Sequence, residues 1–168
     1  VFIILGGQFA ETNMSDTTLT ASGGCSLKSL AETALKNSLS GLEYFWDIPG
    51  TLGGAIFMNA GAYGKSICDL LQSVEVMNLD TGSTRRIGSS NIVSGYRYSS
   101  FQQSRDVIVS ASLALSCSSQ DSIRKKMIEN RVIRRDKIPY DLPNVGSIFK
   151  RPQTGDPVGA MVEKLGLK

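Results

Sequence analysis

Histidine is absent from the 168 residues, and with it go the usual general base, the Ser-His-Asp arrangement and most zinc sites. Cysteine is scarce. Cys25, Cys68 and Cys117 are an odd number at wide spacing, which suits neither a disulfide framework nor a CxxC metal clip and reads as reduced packing residues. No apolar run approaches the roughly 20 residues of a bilayer-spanning helix, and no basic stretch before an apolar core resembles a signal peptide. The expectation is a cytoplasmic protein without a membrane partner. An excess of one charge is also missing: 18 basic against 15 acidic residues leave +3, too slight to argue for nucleic acid but compatible with an anionic small molecule.

What is present reads as a globular chain, 41% hydrophobic and 20% charged, long enough to bury a core. "VFIIL" predicts a buried strand and "TTLTAS", Thr17 to Ser22, a second one, with polar turn residues between. Leu27, Leu30, Ala31, Ala34, Leu35 and Leu39 then recur at helical spacing behind a "GGCS" entry, and Gly41 reads as the stop. "SVEVMNL" and "STRRIG" flank Asp80, Thr81 and Gly82 as a hairpin. Alternation of Val107, Val109, Ala111, Leu113 and Leu115 marks one face of a half-buried strand. A basic helix follows over residues 121–137, with Ile123, Met127, Ile128 and Val132 on its inner side.

This order of elements predicts an α+β fold rather than alternating βαβ units. Pro139 and Pro143 bracket an extended stretch, which places a domain boundary between residues 1–135 and 136–168. "VGAMVEKLGLK" reads as the first helix of the second domain. The start at Val1 inside an apolar run and the end at "EKLGLK" read as a piece of a longer protein.

The glycine-rich stretch "DIPGTLGGAIFMNAGAYG", Asp47 to Gly64, admits two readings. Glycines let backbone amides point together into one concave space that binds phosphate, or they form a tight turn packed against a neighbouring helix. The spacing is neither GxGxxG nor GxxxxGK[ST]. Gly23 and Gly24, ahead of the helix that starts near Ser26, could add amides at a helix N-terminus.

Together with "GYRYSSF", "NVGSIFKRP" and "VGAMVEKLGLK", that stretch resembles the UDP-N-acetylenolpyruvoylglucosamine reductase family, over essentially the whole chain. The resemblance implies the second part of a vanillyl-alcohol-oxidase-type FAD-binding domain, followed by the start of an α+β substrate-binding domain. It implies FAD as cofactor, NADPH as reductant, a UDP-sugar as substrate and a step in peptidoglycan precursor synthesis. The family's first flavin subdomain and its catalytic glutamate have no counterpart in these residues, so the 168 residues alone are expected to bind little FAD and turn nothing over.

By the same resemblance, Arg97 polarises the substrate carboxylate and Ser147 donates the proton, while Tyr96, Lys137, Lys150 and Arg151 contact substrate. Ile48, Pro49, Gly50, Thr51, Gly53 and Gly54, with Gly23, Gly24 and Ser26, contact the flavin. Departures from the family pattern are Cys25, where alanine or glycine is usual, Val145, where alanine is common, and Arg151, where some members have asparagine. Glu163 matches a recurrent glutamate and is given no catalytic role. Two other readings stand beside this one: another FAD-dependent oxidoreductase of the superfamily, which should not need "GYRYS" and "GSIFK" together, and a non-catalytic binding module using helix 121–137. No aromatic residues interleave with the charges of that helix, as nucleic-acid binding would favour.

Overall fold

Alternation in "TLTAS" builds strand β2 (Thr18–Ser22), which buries Leu19 and Ala21 and leaves Thr18 and Thr20 half-buried on the other face. The protein, as a computed structural model, is described over residues 10–136, 138, 142–143, 146, 148–152 and 154–167; the "VFIIL" strand lies outside them. β2 belongs to an antiparallel five-stranded sheet with β1 (Thr12–Ser15), β6 (Leu71–Asn78), β7 (Thr84–Gly88) and β10 (Asp106–Ala114), in the order β1-β2-β10-β6-β7. The sequence predicts turn rather than strand over β1. Its four residues, TNMS, sit at a sheet edge with only Met14 half-buried, so no apolar alternation marks them.

Helix α1 (Leu27–Lys36) starts at Ser26, whose hydroxyl accepts from the Ser29 amide at 3.1 Å, and buries Leu27, Leu30, Ala31 and Ala34. It stops before Leu39, contrary to the spacing argument. Asn37 returns its side chain to the Thr33 carbonyl and Ser38 has φ 58, after which Leu39 enters strand β3 (Leu39–Ser40) opposite β11 (Ser116–Cys117). Leu39 is buried all the same.

The short helix α2 (Leu52–Phe57) packs on β2 and β10, and its Leu52 and Ile56 join Leu19, Leu30, Phe45 and Leu113 in the core. Two hairpins follow it, β4 (Gly61–Ala62) with β5 (Lys65–Ser66), and β8 (Ser94–Gly95) with β9 (Tyr98–Ser99). The β6–β7 hairpin forms as read, with Gly82 at φ 69. Its turn is also held by Asn78, whose Oδ1 accepts from the amides of Asp80 and Thr81.

Strand β10 breaks the alternation expected of it. Its pairing with β6 shifts between Ile108 and Ser110, and the extra residue, Val109, reverses which parity faces the core. Ile108 is therefore buried before the bulge and Ala111 and Leu113 after it, while Val107 and Val109 are only half-buried. Helix α3 (Gln120–Arg135) differs from expectation too: Ile123, Met127 and Asn130 are inside, whereas Ile128 and Val132 are exposed. Steps of four and three from Ile123 stay on one helical face; a step of five to Ile128 leaves it.

The chain divides into two units, Val1–Ile133 and Arg134–Lys168. All the strands above lie in the first. In the second, "VGAMVEK" forms the helix read from sequence, α4 (Val158–Lys164), and Lys164 pairs with Asp156.

Asp106, at the start of β10, is buried. Burial by itself would raise the pKa of its carboxyl, but hydrogen bonds from Arg85, Asn78 and Ser104, with the Arg85 charge, outweigh it and hold the pKa below the usual aspartate value. A depressed native pKa adds stability above the unfolded-state value of about 3.9, and that contribution is lost as pH falls through the native pKa. The urea midpoint of Asp106→Asn should therefore lie below wild type at neutral pH, with the gap closing toward pH 3; a constant gap would contradict this account.

The three cysteines are free; Cys25 is buried, Cys68 half-buried and Cys117 exposed. Burial is the main cause that pushes the Cys68 thiol up to about 11, and burial also raises Cys25. At pH 8 a thiol reagent should modify one cysteine quickly, identified by peptide mapping as Cys117, and the other two only on unfolding.

Candidate functional site

Two glycine segments lie side by side. The Leu27 amide donates to the Gly50 carbonyl at 3.0 Å, Leu52 to Cys25 at 2.8 Å and Gly53 to Gly23 at 2.8 Å, so Ser26 and Thr51 face each other across an antiparallel bridge. Each is a helix N-cap: Ser26 for α1, and Thr51 for α2 through its hydroxyl and the Gly54 amide. One place thus combines the starts of two helices.

The glycines here do different jobs. A Cβ on Gly23 would lie 2.3 Å from the Ile108 carbonyl oxygen, and one on Gly53 3.2 Å from the Gly23 oxygen. The Gly23 amide also donates to the carbonyl of Val109, the bulge residue of β10. Gly23 and Gly53 are glycines because backbone packs on backbone. Gly50 has φ 147 with open space around it, and Gly54 would bring its Cβ only within 3.5 Å of Thr51 Oγ1.

Among the described residues, the amides of Gly24, Ser26, Gly50 and Thr51 have no internal acceptor. Ser26, Gly50 and Thr51 are exposed, Gly24 is half-buried, and the nearest carboxylate in sequence is Asp47, three residues before Gly50. Such a cluster beside two helix starts fits an anionic diphosphate, the group FAD would present. Ile48 and Pro49 lead into it, half-buried and exposed.

Tyr96 and Arg97 form the two-residue tip between β8 and β9, and Arg97 has φ 55. A non-glycine residue is held in that region only where its surroundings over-determine it, and such residues gather at functional sites. The Arg97 guanidinium donates to the Gly61 carbonyl at 3.1 Å and lies over the Tyr96 ring, 5.1 Å from its centre. Tyr96 is exposed.

The hairpin is fastened to the C-terminal end of α2. Ser99, fully buried, donates from Oγ to the Phe57 carbonyl at 2.8 Å, and Gln102 Nε2 donates to the same oxygen and to the Arg97 carbonyl. The amide cluster and Arg97 therefore sit at opposite ends of a six-residue helix, a rise of about 9 Å. Of the other residues chosen from sequence, Lys137 and Ser147 lie outside the described residues, as does Val145. Lys150 and Arg151 are exposed in the Arg134–Lys168 unit, where Glu163 lies on α4.

Residues 7–88 match a protein family described as an FAD binding domain. Over 99% of its length the chain is 39% identical to UDP-N-acetylenolpyruvoylglucosamine reductase of Francisella tularensis, covering 59% of that protein. It is 37% identical to the reductase of the same name from Streptococcus pneumoniae, over 99% of this chain and 55% of the relative. The crystal structure of the MurB reductase of Thermus caldophilus superposes with a TM-score of 0.80 at 28% identity, over 97% of this chain and 58% of that one. Along nearly its whole length the chain is similar to UDP-N-acetylenolpyruvoylglucosamine reductases. It spans a little over half the length of these relatives.

Within that family's motifs, sequence reasoning missed the residues that hold the Arg97 hairpin. Asn59, Ser99 and Gln102 carry no charge and match no catalytic pattern. The signal available was weak: an asparagine directly after a helical apolar run, where glycine is the ordinary terminator.

Proposed function

We propose that the chain is part of an enzyme that reduces the enolpyruvyl ether of a UDP-amino sugar with NADPH, forming UDP-N-acetylmuramate for peptidoglycan synthesis. One observation carries the reading: four open amides, from the adjoining starts of α1 and α2, lie at the N-terminal end of α2 and a constrained arginine lies at its C-terminal end, in a chain similar to these reductases along its length. The Val1–Ile133 unit is assigned to the second flavin subdomain and the Arg134–Lys168 unit to the start of the substrate domain.

The amides of Gly24, Ser26, Gly50 and Thr51 would hold the FAD diphosphate through hydrogen bonds. FAD, when bound, would supply the hydride transfer that links NADPH oxidation to reduction of the substrate's vinyl carbon. Arg97 presents its planar fork to the substrate carboxylate and steadies the charge that builds there as the adjacent carbon becomes carbanion-like. Contact with Gly61 and Tyr96 fixes the direction of that fork. Ser147 is assigned delivery of a proton to the carbon next to the carboxylate. Lys137, Lys150 and Arg151 are assigned to the phosphates and carboxylate of the UDP-sugar, with Tyr96 against its body.

The test uses a polypeptide of the relatives' full length that contains these residues. It should purify yellow, and its NADPH oxidation should depend on the enolpyruvyl UDP-sugar. In Ser147→Ala, reduction of the flavin by NADPH should persist while its reoxidation by substrate slows. A colourless protein that takes up no FAD, or equal loss of both half-reactions, would overturn the reading.

A further inference from the structure

Helix α2 ends in a Schellman turn: the Asn59 amide donates to Ile56 at 3.1 Å and the Ala60 amide to Ala55 at 2.7 Å, with Asn59 at φ 42. Glycine is the ordinary residue at that position, because it takes positive φ without strain. Asparagine tolerates it too, yet here its side chain does not project to solvent. Asn59 is only 5% exposed, and both ends of its amide are engaged. Nδ2 donates to the Gly95 carbonyl at 2.8 Å, and Oδ1 accepts from the Cys68 amide at 3.3 Å.

Gly95 immediately precedes the Tyr96–Arg97 tip. Backbone capping alone would be served by glycine, so the buried side chain answers a different need. The helix-end geometry is transmitted to the hairpin 36 residues away, beside the Ser99 contact to the last residue of the same helix. We propose that Asn59 is the positioning residue for Arg97: its amide locks the β8–β9 hairpin to the end of α2 and so sets where the guanidinium is presented. This rests on the role given to Arg97 above. Asn59 itself touches no substrate.

The backbone argument supplies an unstrained test variant. Asn59→Gly keeps the positive φ and the Schellman turn but removes both side-chain hydrogen bonds, whereas Asn59→Asp keeps the acceptor for Cys68 and sets a carboxylate oxygen against the Gly95 carbonyl. In the full-length holoenzyme, amide exchange over residues 94–99 should accelerate at least about fivefold in Asn59→Gly, as expected for loss of a buried hydrogen bond. FAD content and flavin reduction by NADPH should stay near wild type, while reoxidation by the enolpyruvyl UDP-sugar slows roughly tenfold or more, in kcat rather than KM. Asn59→Asp should show the same split.

Unchanged exchange in the hairpin would overturn the positioning role whatever the activity. So would a loss of both half-reactions in proportion to lost FAD, which is the mark of a merely structural residue. If the wild-type protein fails to reduce the UDP-sugar at all, the proposed function falls, and the exchange measurement still decides whether Asn59 locks the hairpin.

Discussion

Gly23→Ala should lower the melting temperature by roughly 6–12 °C, the shift expected for overpacking of about 3 kcal/mol in a chain of this size. The added methyl would lie 2.3 Å from the Ile108 carbonyl oxygen and 3.3 Å from that of Val109. Those obstacles are backbone in the central part of the sheet, not the movable ends of side chains. Relief requires the Gly23–Ser26 segment to withdraw from β10, which breaks the Gly23–Val109 hydrogen bond and parts the Ser26–Thr51 bridge. The amide cluster would be lost with it, so FAD uptake by the full-length protein should fall as well.

Gly54→Ala is the control. A Cβ there meets only Thr51 Oγ1 at 3.5 Å, and alanine in a helix is favoured over glycine by about 1 kcal/mol. Its thermal midpoint should hold or rise, so weaker FAD binding by this variant would report a ligand contact rather than a damaged fold. Thermal denaturation followed by circular dichroism, with flavin fluorescence titration, separates the two. A Gly23→Ala protein as stable as wild type would refute the packing account.

Arg97→Lys should cut reoxidation of reduced flavin by the enolpyruvyl UDP-sugar about 10²–10³-fold, the usual cost of losing a donor that stabilises developing negative charge. Lysine keeps the charge but loses the fork, the reach to Gly61 and the stacking on Tyr96. Because Arg97 is half-buried at a hairpin tip whose anchors belong to Asn59, Ser99 and Gln102, the fold should survive. Rapid-mixing measurements of the two half-reactions check the expectation: NADPH reduction near wild type with slow substrate reoxidation. Parallel loss of both would place Arg97 in the flavin-reduction step or in the fold.

Local pattern carried far in this chain where one segment decides its own structure. The capped start of α1 at Ser26, the β6–β7 turn and helix α4 are visible in a few consecutive residues, since caps, turn residues and apolar spacing act over one or two turns. Strand β1 carries no local signal because an edge strand needs no apolar face, and the end of α1 is not legible because Leu39 joins the core from strand β3 rather than from the helix. The inner face of α3 is narrower than its apolar residues predict. Apolar residues at Ile128 and Val132 carry no local sign that they stay exposed.

For the site, the motifs alone carried the resemblance to the reductases and put forward Arg97 and the two glycine segments. Their placement at the two ends of α2, and the separate duties of the glycines, came only from the tertiary structure. Gly23 and Val109, or Asn59 and Gly95, meet across long stretches of chain, and no periodicity in either segment encodes the other. The amino-acid sequence by itself determined the α+β character, the resemblance to the reductases and the residue types available for chemistry. Which glycines are packing and which leave open amides, the face reversal at the Val109 bulge and the lock on the Arg97 hairpin were decided by the tertiary structure, because each depends on backbone groups brought together only when the sheet has formed.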